Sequence, residues 1–332
     1  MFSHDEPHIS RRTFVRQTGV LAGGALLAGR TASAAPQAPA RGELPRRVLG
    51  KTGVPLTVFT LGTAPAGFAK PGSTKLVADV VNAAIDLGVN SIDTAPKYDL
   101  AEEGVGLALG KRRKDVFLAT KVWADTIEDA EKSLSNSLRK LKTDHVDLLY
   151  YHSLGHRKVE TALNPDGVFT WLLKQKQAGK TRFVGISGHN LPGRFPRLLE
   201  TGQVDVLLTV VNFVDRHTYR FEEQVLPVAE KHHVGIVAMK VFGGARSKAG
   251  SYENPKAPPE LDVEHLQTAI RYSLGVPGVV TLDIGCHNVQ QVRRNVAMIK
   301  NFKPLGPEER QQVEKLGKQV AAKWGPHFGP VA

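Results

Sequence analysis

The sequence holds one cysteine, Cys286, in 332 residues, which excludes an intramolecular disulfide and leaves stability to packing. It has no apolar run able to cross roughly 30 Å of hydrocarbon as a permanent helix. The longest candidate, Thr18 to Gly29, is weakly apolar and rich in glycine. No Gly-x-Gly-x-x-Gly follows the first apolar strand candidate, which speaks against a Rossmann nucleotide site. No aromatic residues interleave with the main basic run, Lys111-Arg112-Arg113-Lys114, so a nucleic-acid patch is not expected there. That run follows a helical segment closed by Gly110 and reads as a solvated helix end, where cations meet the negative pole of the helix dipole.

What the sequence does contain is ordinary for one large soluble domain. Hydrophobic residues make up 41% and charged residues 23%, enough apolar material for a full core. Net charge is +12, of which Arg11, Arg12, Arg16 and Arg30 against Asp5 and Glu6 contribute +2 before the fold begins.

The first residues have the order of an export signal. Ser10-Arg11-Arg12-Thr13-Phe14 is followed by the short apolar run and then by Ala32-Ser33-Ala34, a small-residue cleavage site. The arginine pair with a phenylalanine two places on resembles the twin-arginine signal, whose machinery exports folded proteins. Residues 1–34 are therefore read as a signal peptide, 35–44 as a proline-rich linker and 45–332 as the folded domain, with export to the periplasm expected.

From Thr57 onward, short β-branched apolar runs alternate with segments of helical period, the signature of βα units. Eight strands are expected: Val58–Gly62, Ser91–Thr94, Val116–Val122, Val146–His152, Phe183–Ser187, Val204–Asn212, Ile236–Phe242 and Val279–Gly285. Each precedes a helical run: Thr74–Leu87, Glu102–Leu109, Ile127–Leu141, Asp166–Ala178, Pro192–Thr201, Phe221–His232, Val263–Leu274 and Val289–Ile299. A count of eight favours an α/β fold of the (β/α)8 TIM barrel type over an open sheet. Arg47 to Val54 reads as a β-hairpin turning at Lys51-Thr52-Gly53 and plugging the lower end, and Pro307–Trp324 as an extra C-terminal helix.

In such a barrel the chemistry sits where strands end, at the carboxyl face. Four polar residues fall there: Asp93, Tyr98, Lys121 and His152. Singly, each has a structural reading. Asp93 fits a turn, Tyr98 a half-buried loop aromatic and His152 a hydrogen-bonded core residue. Lys121 must find a counter-charge, because an unpaired buried ammonium costs several kcal/mol or more.

Jointly they are more specific. Ile92-Asp93-Thr94-Ala95-Pro96-Lys97-Tyr98, with Thr120-Lys121 and Tyr151-His152 downstream, resembles the Asp, Tyr, Lys, His tetrad of the aldo-keto reductases. The resemblance runs from about Arg47 to Phe302. It implies hydride transfer between NADP, or alternatively NAD, and a small carbonyl or alcohol, with Tyr98 as proton donor in reduction and base in oxidation. A phenol near pKa 10 is a poor acid at neutral pH, and a cationic Lys121 held by Asp93 is expected to lower that value. His152 is expected to hydrogen-bond the carbonyl oxygen. A nucleotide-binding redox sensor with little turnover is the competing reading.

The resemblance also implies a nucleotide site at Thr63, Asp93, Ser187, Asn212, Gly243, Gly244, Gly285, His287, Gln291 and Asn295. Gly285 to Asn295 is similar to the family's adenosine-binding segment, with a helix start suited to a phosphate. The nicotinamide end departs from the family. Gly188 stands at the position of an asparagine, for which His189 or Asn190 are substitutes, and Leu208 and Val211 replace a glutamine and a stacking aromatic. Cys286 reads as a small buried hydrophobe. Ser247 to Pro259 reads as a lid or an idle surface loop, and no residue is read as a metal ligand. Export raises a mechanistic difficulty, since a compartment outside the cytoplasm has no evident NADPH supply.

Overall fold

The computed structural model describes residues 43–69, 71–244 and 261–332. The signal peptide, the linker up to residue 42 and the segment 247–259 lie outside the described residues. Two short strands, β1 (Arg46–Val48) and β2 (Pro55–Thr57), pair antiparallel around a tight turn that ends on Gly53 at φ 72°. The turn seals the amino end of the barrel. Leu49 is fully buried against the backbone of Gly235, and the Lys51 amide donates to the His233 carbonyl at 2.7 Å.

Eight parallel strands then close on themselves: β3 (Phe59–Gly62), β4 (Ser91–Asp93), β5 (Phe117–Val122), β6 (Val146–Tyr151), β7 (Thr181–Gly188), β8 (Val206–Val210), β9 (Gly235–Met239) and β10 (Val279–Gly285). Closure is made by β10 against β3, with Leu282 opposite Phe59 and Gly285 opposite Gly62. This is the TIM barrel expected from the alternating pattern. Most strand side chains are buried, inside the barrel or under the helices, which is why the strands read as nearly continuous apolar runs. Three hydroxyls form a polar chain within: Thr60 lies 2.6 Å from Ser91 and 2.9 Å from Thr281.

Helix starts follow their capping residues. The Ser73, Thr126 and Asn288 side chains accept amide hydrogens at the heads of helices Thr74–Asp86, Ile127–Leu141 and Val289–Lys300. Helix Pro307–Trp324 lies where expected and ends at Gly325.

Several expected elements are interrupted. Pro192–Thr201 divides into a 3-10 turn, Pro192–Arg194, and a single helical turn, Pro196–Leu199. Phe221–His232 divides into Phe221–Gln224 and Leu226–Lys231. Pro196 and Pro227 cause both breaks, since neither has an amide hydrogen for the preceding turn. The strand expected over Ile236–Phe242 stops at Met239 because Lys240 turns into left-handed backbone at φ 58°. The basic run is only partly solvated. Arg112 pairs with Asp86 at 2.6 Å, and Arg113 reaches Asp147 at 3.0 Å, so these two cations tie a 3-10 turn, Gly110–Asp115, to its neighbours. Among the described residues, no helix is long and apolar enough to cross a membrane.

Candidate active site

The carboxyl ends of β3, β4, β5, β9 and β10 surround a cavity of about 340 Å³, a size in the range of small-molecule sites. Asp93, Tyr98 and His152 line it, and Lys121 stands directly behind them. Asp93 is the last residue of β4, and its carbonyl accepts from both the amide and the hydroxyl of Thr63, at 3.0 and 2.9 Å, on the neighbouring strand end. Lys121, near the end of β5, donates to the Asp93 carboxylate and, at 2.9 Å, to the Thr94 carbonyl. Its ammonium lies 4.9 Å from the centre of the Tyr98 ring. Tyr98 is held by a turn, its amide donating to Ala95 at 3.0 Å while its carbonyl accepts from Ala101 at the head of helix Ala101–Leu109. The His152 ring meets the Tyr98 ring edge-on at 6.1 Å and the Trp123 ring at 5.3 Å.

Charge is distributed unevenly over these groups. Burial alone would lower the Lys121 pKa, but Asp93, Tyr98 and Asp283 together raise it above the usual range, so it is a permanent cation. Burial raises the Asp93 carboxyl, and Lys121 opposes that rise. The Tyr98 phenol is pushed up to about 12: burial dominates, Lys121 pulls down, and Asp93 and Asp283 push up. The expected depression of Tyr98 by Lys121 is therefore overridden in the unliganded site. His152 is held well below its ordinary value by burial and by the cations around it, so its imidazole is neutral at pH 7.

Among the lining residues that were not anticipated are an acid and a lysine on neighbouring strand ends. Asp283, on β10, is a half-buried acid whose pKa is driven well above the usual range by desolvation and by Asp93. Lys240, at the end of β9, is lowered to about 8 by burial, with Asp283 and Asp215 opposing. The signal was available in the sequence. An acid inside Thr281-Leu282-Asp283-Ile284 and a lysine after Ala238-Met239 pose the same counter-charge problem that singled out Lys121.

The expected nucleotide residues divide into two groups. Thr63, Gly244, Gly285, His287, Gln291 and Asn295 line the cavity together with Asp93. Ser187, Asn212 and Gly243 do not. The Ser187 hydroxyl accepts from the Ser153 amide at 3.3 Å. Asn212 spends its amide within the fold, donating to Asp215 and to the Lys240 carbonyl while accepting from the Val214 and Asp215 amides. In this arrangement it braces the turn after β8. Of the two substitutes near Gly188, His189 reaches the cavity, whereas Asn190 is buried against Gly155 and Gly329.

Four of the lining residues, Asp93, His152, Asp283 and His287, each keep a buried polar atom without a hydrogen-bond partner among the described residues. Such atoms are costly unless a ligand or water meets them. At one rim, the head of helix Val289–Lys300 presents Gln291 and Arg294. The site is thus built for a polar, partly anionic guest.

The sequence pattern of the aldo/keto reductase family matches residues 59–318. The L-galactose dehydrogenase of Arabidopsis thaliana is 30% identical over 307 residues, covering 82% of this chain and 94% of the relative. Among solved structures, an aldo-keto reductase of Bacillus halodurans in its holo form superimposes with a TM-score of 0.66 at 24% identity, covering 86% of this chain and all of that one. An aldo-keto reductase of Klebsiella pneumoniae in complex with NADPH gives a TM-score of 0.62 at 21% identity, with coverage of 81% and 94%.

Proposed function

The chain belongs to the aldo/keto reductase family and is an oxidoreductase, and on that premise we propose that it uses NADP to interconvert an aldehyde or ketone and an alcohol, with Tyr98 handling the proton. The observation that carries this reading is the Asp93 to Lys121 ion pair set 4.9 Å from the Tyr98 ring at the wall of the cavity.

When bound, the nucleotide supplies the hydride that the carbonyl carbon accepts. The residues supply the rest. Tyr98, protonated at neutral pH, gives its hydrogen to the carbonyl oxygen, and the phenolate that remains faces the Lys121 cation. His152, neutral, offers a ring N–H to the same oxygen and orients the substrate. In the reverse direction Tyr98 takes the hydroxyl proton. NADPH is the ligand of the Klebsiella relative, and three features here suit it. The bare backbones of Gly244 and Gly285 admit close approach, the helix head at Asn288 favours a phosphate, and Arg294 adds charge for a 2′-phosphate.

A nucleotide titration with Tyr98→Phe as control tests the reading. Retained NADPH binding with carbonyl reduction lowered at least a hundredfold supports it. Binding without turnover in either protein supports the redox sensor, which the apolar Leu208 and Val211 favour.

The N-terminal residues add an address. Arg11-Arg12 and Ala32-Ser33-Ala34 support twin-arginine export to the periplasm, and a barrel that folds before export can carry its nucleotide with it. Turnover outside the cytoplasm then requires a second substrate to recharge the bound nucleotide. Fractionation of wild type and an Arg11→Lys, Arg12→Lys variant tests the address: export abolished in the variant supports it, and unchanged distribution refutes it.

A further inference from the structure

The exposed part of the cavity wall carries the lysine Lys97, while the acids among the described lining residues, Asp93 and Asp283, stand at the strand ends beneath it. Lys97 immediately precedes Tyr98, is exposed, and lines the cavity. Its ammonium lies 6.0 Å from the centre of the Trp123 ring, which lines the cavity beside it. Trp123 is only 36% exposed and is fixed on several sides. The Arg157 guanidinium covers it at 4.6 Å, His156 stacks at 5.8 Å, and His152 meets it edge-on. Arg157 is engaged with Asp125 at 2.8 Å, which occupies the nearest acid of that wall.

After burial, the largest charge effects on His152 come from Lys121, His189, Arg157 and Lys97, and all four lower its pKa. The acids among the described lining residues are Asp93 and Asp283, both at the buried strand ends, with Lys121 and Lys240 near them. A substrate seated at Tyr98 and His152 therefore meets positive potential on its outward side and an indole face next to it.

We propose that the substrate is an oxo acid, or the corresponding hydroxy acid, whose carboxylate is held by Lys97 while Trp123 packs against the carbon skeleton between carboxylate and carbonyl. The proposal rests on the reaction at Tyr98 and adds the chemical class of the molecule reduced there. It is separable from nucleotide recognition, which under the proposed function falls to other lining residues, Gly244, Gly285 and Arg294. A partly exposed ammonium paired with a carboxylate at contact distance gives about tenfold discrimination, and salt weakens it.

The test compares full-length protein on matched aldehydes: 4-carboxybenzaldehyde against methyl 4-formylbenzoate, and 4-oxobutanoate against its methyl ester. The expected result is a kcat/KM about tenfold higher for the acid in at least one pair, shrinking as KCl rises from 50 to 500 mM on the order of the screening change. In Lys97→Met the acid-to-ester ratio falls to near one, while Lys111→Met, at an exposed lysine outside the cavity lining, keeps the wild-type ratio. Esters preferred or equal in both pairs overturn the proposal, as does a ratio unchanged in Lys97→Met. If no aldehyde is reduced, the reaction at Tyr98 is what fails. Calorimetric binding of 4-(hydroxymethyl)benzoate against its methyl ester, with NADP present, then decides the charge question by itself: tighter binding of the acid that is lost in Lys97→Met supports it, and equal binding overturns it.

Discussion

Asp283 and Asp93 are carboxylates on either side of one bare backbone position, Gly62, where any β-carbon would lie 2.5 Å from an Asp283 oxygen and where the strand register sets Gly62 opposite Asp93. Asp93 raises the pKa of Asp283, and both raise that of Tyr98. Asp283→Asn removes one of these like charges and keeps the side-chain shape. The phenol should then ionise below its present value of about 12, because Lys121 is opposed by one acid instead of two. Ultraviolet titration of tyrosinate, read as the difference between each protein and its Tyr98→Phe derivative, measures this directly. An unchanged or higher Tyr98 value in Asp283→Asn contradicts the arrangement.

The high Tyr98 value gives the two reaction directions different pH profiles. Below about 12 the phenol is protonated, which is the form that reduction needs, so kcat/KM for reduction should stay flat with respect to Tyr98 from pH 6 to 10. Oxidation needs the phenolate and should rise about tenfold per pH unit over the same interval. His152, held neutral, should add no limb near its ordinary value. Steady-state rates in both directions across that range check the prediction, and an oxidation rate that levels off near pH 8 would show that Tyr98 ionises far more readily once the nucleotide is in place.

Lys121 and Asp93 are buried partners, with 1% and 4% of their side chains exposed. Lys121→Met should destabilise the fold by about 3–5 kcal/mol, because it leaves a carboxylate in the barrel mouth without its cation. Asp93→Asn combined with Lys121→Met should cost less than the sum of the two single changes, since neither charge is then stranded. Reduction should remain lost in the double variant. Urea unfolding of the parent, the two single variants and the double variant gives the coupling, and additive costs would show that the two side chains do not depend on one another.

The same pair shows how much was legible beforehand. A lysine in Phe117-Leu118-Ala119-Thr120-Lys121-Val122 demands a counter-charge, and the βα alternation places Asp93 on the adjacent strand, so the floor of the site followed from pattern and electrostatics. Eight strands were legible because buried parallel strands are written as β-branched runs. Other features depend on contacts that no local window contains. Lys240 just follows β9 and Asp283 lies on its pairing neighbour β10, so strand pairing across a long stretch of sequence brings them together, and the bracing of the turn to Asp215 by the Asn212 amide is likewise a folded-state contact. The C-terminal tail was also unreadable. It folds back so that Phe328 lies 5.6 Å from His189, and His327 reaches Asp215 at 2.8 Å, across more than a hundred residues of sequence.

Gly188 stands where the resemblance implies an asparagine, and packing accounts for a bare backbone there. A β-carbon there would lie 2.6 Å from the tip of Phe195 and 3.3 Å from the Leu154 amide. Phe195 has no room to retreat, being fully buried edge-on against Phe221 at 5.1 Å. Gly188→Asn, which introduces the amide that the resemblance implies, should therefore destabilise the protein by about 1–3 kcal/mol through overpacking. It should also fail to tighten nucleotide binding, because His189 already occupies the cavity wall next to it. Adding Phe195→Leu should recover part of the lost stability by vacating the space that the new side chain needs. Thermal unfolding and NADPH titration of the two variants separate these effects. A Gly188→Asn protein as stable as the parent and binding NADPH more tightly would mean that the aromatic contact is not what keeps this position bare.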